Sequence, residues 1–185
     1  MNLFSYIFWG FFLKTYSENY ESSIKQFQGE FSRTELVLDN ALRFHSEEIR
    51  KDGIAQQWEK FNDQDRYNLH VYHKDSLVFW NTNQLPIIRF ADIHFPSEGL
   101  LHLQNGWYYS KLKVFNDYVV CASMLVKQDY SYKNNELVND FASNLSLPFS
   151  SYISLEQEIG YPIYSNDSKF VFSISPNPYQ EATSK

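Results

Sequence analysis

The sequence predicts an α+β chain in which one long N-terminal helix precedes an antiparallel sheet. Three observations carry that reading. Apolar or small side chains recur at Tyr20, Ile24, Phe27, Phe31, Thr34, Leu38, Ala41, His45 and Ile49, in steps alternating between three and four. Residues 105–130 read as two long strands around Asn116-Asp117, a pair that tolerates the positive φ of a two-residue hairpin loop. Finally, 185 residues that are 43% apolar and 18% aromatic suit one domain plus an appendage, with a core held by large rings.

Residues 1–13 are apolar up to Lys14. As a helix they reach roughly 20 Å, short of the roughly 30 Å hydrocarbon core. They lack the basic start and small-residue cleavage site of a signal peptide. Aromatic side chains near the end of the run suit a membrane interface, so the stretch is expected to be part of a transmembrane helix. Residues 14–52 continue as a long helix, with Leu36, Val37, Leu42 and Phe44 widening its apolar face. Gly29 weakens it, and Asp52-Gly53 stops it. Ile24, Phe27, Phe31, Leu38, His45 and Ile49 form a heptad-like seam, a spacing that permits two copies to pair as a homodimer.

Residues 53–175 are expected to form one folded domain. A short helical turn is expected at residues 58–61. Residues 68–73 and 77–80 read as a hairpin turning on Lys74-Asp75-Ser76. Residues 82–99 contain Pro86 and Pro96 and read as a loop with a short helix. In the central hairpin the loop sets Phe115 against Tyr118, Val114 against Val119, Leu112 against Cys121, Ser110 against Ser123 and Tyr108 against Leu125. That gives one mainly apolar face. The opposite face carries Trp107, Tyr109, Lys111, Lys113 and Phe115, a mixture that suits a helix, a ligand or a partner. Residues 134–145 are expected as a helix capped by Asn134, with Leu137, Phe141 and Leu145 on one face. Residues 152–155 and 163–174 are expected as strands, the latter folding back at Asn166-Asp167. Residues 176–185 read as a linker.

Chemistry is sparse. A formal charge of −6 without a Lys/Arg cluster argues against nucleic acid. Cys121 is the single cysteine, which rules out an intrachain disulfide and suits buried packing. His70 and His73 point to opposite faces of a strand, and no cysteine or carboxylate cluster completes a set, so no metal is expected. His94 and His102 stand alone in the loop region. Gly-rich phosphate loops and Gly-x-Ser-x-Gly are both missing, and no catalytic residue is nominated. Trp80, Arg89, Trp107, Tyr109 and Lys111 are the candidates for a small-molecule ligand pocket, which combines apolar walls with a few polar groups.

Three phrases carry a family resemblance. They are residues 73–83, His-Lys-Asp-Ser-Leu-Val-Phe-Trp-Asn-Thr-Asn; Asn105 to Tyr109 with the strand Ala122 to Lys127; and Tyr130 to Phe141 with Leu147-Pro148. In this order they resemble the extracytoplasmic sensor region of Bacteroidetes-type two-component sensor histidine kinases, over roughly residues 67–174. The resemblance implies a PAS/Cache-like sheet and residues from about 20 to 185 lying in the periplasm beside the inner membrane. It also implies a cytoplasmic kinase core beyond this segment that uses ATP and Mg and addresses a response regulator. No cofactor is expected in the segment itself. Two departures stand out. Ala122-Ser123 replaces an expected Gly-Leu pair. The first membrane helix, residues 1–13, is short; separately, His45-Ser46-Glu47 lacks the acidic residue directly after the histidine, and the closing proline, of a phospho-accepting box, and reads as an ordinary helix face. Asp75 to Trp80 reads as turn and strand packing. The alternatives are a membrane-anchored binding module without signalling and a small hydrolase.

Overall fold

Helix α1 runs Leu3–Asp52 and ends where the positive φ of Gly53 lets the chain leave, with the Gly53 N–H bonded to the Ile49 carbonyl at 3.1 Å. Residues 3–56, 58, 67–86, 89–92, 97–131 and 138–177 are described by this computed structural model, residues 3–19 and 92 by their backbone alone. Among the described residues no helix is long and apolar enough to cross a membrane. Eight strands follow α1: β1 Asn68–His73, β2 Ser76–Trp80, β3 Glu98–Leu103, β4 Gly106–Phe115, β5 Tyr118–Gln128, β6 Ser151–Ser154, β7 Tyr161–Tyr164 and β8 Phe170–Pro176. The chain divides into two units, Arg33–Asn144 and Met1–Ser32 with Leu145–Lys185.

In the unit Arg33–Asn144 an antiparallel sheet has the order β2-β1-β5-β4-β3. The β4–β5 hairpin takes the register expected from its loop, from Phe115↔Tyr118 to Tyr108↔Leu125. Of the two loop residues only Asn116 has a positive φ, 49°. Beyond Tyr108 a bulge moves Trp107 to face Lys127 rather than Val126. The β1–β2 turn is one residue tighter than expected: Lys74, at φ 58°, and Asp75 make it, and Ser76 already pairs with His73.

Both faces of this sheet are covered. Tyr109, Phe115, Val120, Ala122, Met124 and Val126 are buried on the face that meets the C-terminal part of α1. On the other face Tyr72, Tyr108 and Val119 pack with Leu85, against which Leu77, Phe90, Leu103, Leu112 and Leu125 lean. The mixed face is therefore as buried as the apolar one.

β3 corrects the loop expected up to the central hairpin, and it places His102 in a strand. Residues 138–145 correct the expected helix; its first part, residues 134–137, lies outside the described residues. Here Phe141 bridges Lys127, the Gln128 N–H bonds the Asp140 carbonyl, and only Ser143–Leu145 makes a 3-10 turn. The cause is an open edge. β1 pairs β5 as far as Ser123, so the remaining polar groups of β5 need another partner. The expected turn at residues 58–61 lies outside the described residues except for Trp58.

In the other unit β6, β8 and β7 form a three-stranded antiparallel sheet. Phe172 packs edge-on against Phe27 at 6.2 Å and Phe31 at 5.7 Å. The turn after β7 closes with Ser168 at φ 61°. All six residues of the expected dimer seam, Ile24, Phe27, Phe31, Leu38, His45 and Ile49, are buried within the single chain. Among the residues whose side chains are described, the large apolar side chains that α1 leaves exposed are Leu36, Val37 and Phe44.

Candidate functional site at the helix–sheet contact

Two of the five expected ligand residues, Tyr109 and Lys111, meet in one cluster. They alternate onto the same face of β4 because they are two apart. Glu98 on β3 lies opposite Lys111 in the ladder, and Glu35 and Asp39 lie one above the other on α1 because they are four apart. Lys111 Nζ lies 2.9 Å from Glu35 Oε1, 2.9 Å from Asp39 Oδ1 and 3.9 Å from Glu98 Oε1. The Tyr109 hydroxyl lies 2.7 Å from Glu98 Oε1 and 3.1 Å from Glu35 Oε1. Glu35 and Tyr109 are fully buried and Lys111 nearly so.

Burial is the largest influence on the Lys111 ammonium and pulls its pKa down. The hydrogen bonds from Asp39 and Glu35, with their charges, outweigh it and hold the group above its ordinary value. Burial raises the Tyr109 phenol most, and the bond to Glu98 and the charges of Glu35 and Glu98 raise it further, so it stays protonated and donates. The cluster joins one helix and two strands through charge-assisted bonds, with Glu35, Tyr109 and Lys111 buried and Asp39 at its exposed rim.

The other three expected ligand residues lie elsewhere. Arg89 is exposed and clamps Asp75, at 3.0 and 2.8 Å to Oδ2, while the Asp75 Oδ1 accepts from the Ala91 N–H. Those contacts hold the Asp75 carboxyl below its usual range, the Ala91 N–H first and Arg89 second. Asp75 thus ties the β1–β2 turn to the following loop. Trp80 lies on the edge strand β2, bonded through Nε1 to Asn83 and edge-on to Trp58. Trp107 stacks on His102, whose Nε2 is 2.9 Å from Asp129. β2 and β4 are separated by two strands, about 14 Å. The strand order, which the sequence does not state, keeps Trp80 away from Tyr109 and Lys111.

A second polar group lies on the opposite sheet face. His70 faces Cys121 across β1 and β5, and Ser123 accepts from Ser110 at 2.8 Å and lies 3.5 Å from the Cys121 sulfur. His70 Nδ1 is buried with no hydrogen-bond partner among the described residues. Burial pushes the His70 pKa down to about 4 and the Cys121 thiol up to about 12, so both are neutral near pH 7. Neutral histidine, thiol and hydroxyls make this face suited to packing or to a small uncharged molecule, not to nucleophilic chemistry. Among the described residues no group of three His, Cys, Asp or Glu is arranged to hold a metal ion.

Sequence reasoning missed Glu35, Asp39 and Glu98. A signal existed: two carboxylates four apart, bracketing Leu38 of the apolar seam, and a lysine alternating with tyrosine on a long strand. No family model matches this chain, and neither a curated protein nor a solved structure matches it.

Proposed function

We propose that this chain is the extracytoplasmic signal-input part of a membrane-bound two-component sensor histidine kinase. The ordered phrases from residue 73 to residue 148 support that reading. An antiparallel five-stranded sheet with a long N-terminal helix on one face supports its PAS/Cache-like form. The observation that carries it is the Lys111 cluster. A buried ionic contact fixes the position of the same helix that begins in the apolar run, so a change in the domain has a route into that helix.

In this reading residues from about 20 to 185 are periplasmic and the apolar start lies in the inner membrane. Two copies pair, with Leu36, Val37 and Phe44 as exposed apolar side chains on the described part of α1 that could take part. The kinase core, with its ATP and Mg, and the response regulator are engaged by other parts of the protein. A small uncharged ligand would meet His70. The test is a reporter fused after Lys185 in the membrane-inserted protein. Activity of a reporter that works only outside the cytoplasm is the expected result. Activity of one that works only inside contradicts the reading.

A further inference from the structure

His70 and Cys121 are direct cross-strand neighbours on β1 and β5, so their side chains leave the same face of the sheet. His70 is 1% exposed and Cys121 is fully buried. Among the described residues His70 Nδ1 has no hydrogen-bond partner, a costly state for a buried polar atom. Cys121 is the chain's single cysteine, and its sulfur lies 3.5 Å from the Ser123 hydroxyl. That hydroxyl lies 2.8 Å from Ser110 Oγ. On its other side His70 pairs with Trp80 of β2, a half-exposed residue on an edge strand. One strand thus separates His70 from the edge of the sheet.

Thiolate selects Cu(I) and zinc, and imidazole suits copper and zinc. Directly opposed residues hold their Cβ atoms roughly 4.5–5.5 Å apart. Two metal bonds of roughly 2 Å each, end to end, fit between the tips of such a pair. Charge then chooses the ion. Burial keeps His70 neutral near pH 7, with its pKa down at about 4, so Nδ1 presents a lone pair when the hydrogen is on Nε2. Burial also keeps the Cys121 thiol protonated until a metal displaces that proton. One thiolate, one neutral imidazole and one monovalent cation sum to zero. The loaded pair therefore adds no net charge to a buried face, the same condition that suits this face to an uncharged molecule. A divalent ion leaves a charge uncompensated there. Zinc also takes four ligands, and among the described residues no third His, Cys, Asp or Glu joins the pair.

We propose that His70 Nδ1 and Cys121 Sγ form a two-coordinate site for a soft monovalent metal ion, Cu(I). On loading, the thiol proton passes to solvent, one sulfur–copper and one nitrogen–copper bond form, and no electron is transferred. The Ser123 hydroxyl donates to the thiolate and accepts from Ser110, which steadies the ligand from outside the metal's own bonds. The ion ties β1 to β5 and gives His70 Nδ1 the partner it lacks. The site stands on the sheet geometry and does not depend on the sensor reading.

The test is anaerobic titration of the reduced 185-residue chain with Cu(I) held by a coloured chelator, followed by X-ray absorption at the copper edge. The wild type takes one Cu(I) per chain, with one sulfur and one imidazole nitrogen as its neighbours. Cys121→Ala retains none. His70→Leu keeps the thiol, holds Cu(I) more weakly by about tenfold or more, and loses the imidazole signal. Circular dichroism checks that both variants are folded. The wild-type spectrum needs no variant, so the proposal stays open to refutation even if a substitution unfolds the chain. Folded wild type that retains no copper overturns it. So does copper bound by two sulfurs from two chains, or an affinity unchanged in His70→Leu. Zn(II) held as tightly as Cu(I) overturns it too. None of these outcomes touches the reporter result, so the metal site and the sensor reading fail separately.

Discussion

Gln28 pairs with the main chain of Tyr164 as one strand pairs with another. Its Nε2 donates to the Tyr164 carbonyl at 2.8 Å, and its Oε1 accepts from the Tyr164 N–H at 2.9 Å. β7 is an edge strand, and the helix supplies the partner its outer backbone groups need. Asn81 repeats the device, accepting from the Leu69 N–H and donating to the Tyr67 carbonyl, and Asn139 does so with both groups of Tyr130. Gln28→Glu keeps the shape and loses the donor. It should cost about 1–3 kcal/mol, measured by urea unfolding; no loss means that water replaces the amide.

Removing Lys111 should be expensive. Lys111→Met leaves Glu35 buried without its cation and should cost about 3–5 kcal/mol. Adding Glu35→Gln should recover much of that loss, because the uncompensated charge is gone. A double-mutant cycle reads the coupling directly, and additive losses would show that the two side chains do not act together.

His70 makes stability depend on pH. Its folded pKa, about 4, lies below the unfolded value of 6.5, so the unfolded chain binds the proton first as pH falls. The stability linked to neutral His70 is fully present above about pH 6.5 and is lost down to about pH 4, by about 3 kcal/mol in total. His70→Leu should flatten this part of the profile. An unchanged slope in the variant would assign the acid sensitivity to other groups.

The seam and the exposed stripe of α1 should behave differently. Phe31→Ala should cost about 3–5 kcal/mol, since Phe31 is fully buried against Phe172. Phe44→Ala, at a side chain 49% exposed, should cost under about 0.5 kcal/mol. In sedimentation at high concentration Phe44→Glu should weaken self-association and leave unfolding unchanged. A pair indifferent to that substitution would remove the stripe from the interface.

Local chemistry was legible in the sequence, and long-range placement was not. The hairpin around Asn116-Asp117, the turn at Lys74 and the face of α1 that becomes buried all follow from alternation and loop residues. β3 escaped because Glu98 to Leu103 does not alternate cleanly, although Asn105-Gly106 after it signals a hairpin. Phe141 and Leu145 have helical spacing, but the open edge of β5 recruits Asp140 and Phe141 as a strand-like partner. Trp80 looked like a companion of Lys111, but strand order separates them; Arg89 is taken by Asp75, and Trp107, on the same strand as Lys111, stacks on His102. Glu35 and Asp39 acquire meaning only when β4 lies beside α1.

The central claim is that the Lys111 cluster holds α1 in a signalling position. It is tested most directly by joining this chain to a histidine-kinase core of known activity and measuring autophosphorylation with and without Lys111→Met paired with Glu35→Gln. The pair keeps the site free of unpaired charge, and circular dichroism checks that the domain remains folded. The account predicts a severalfold change in phosphorylation. An unchanged level in a folded domain would contradict it.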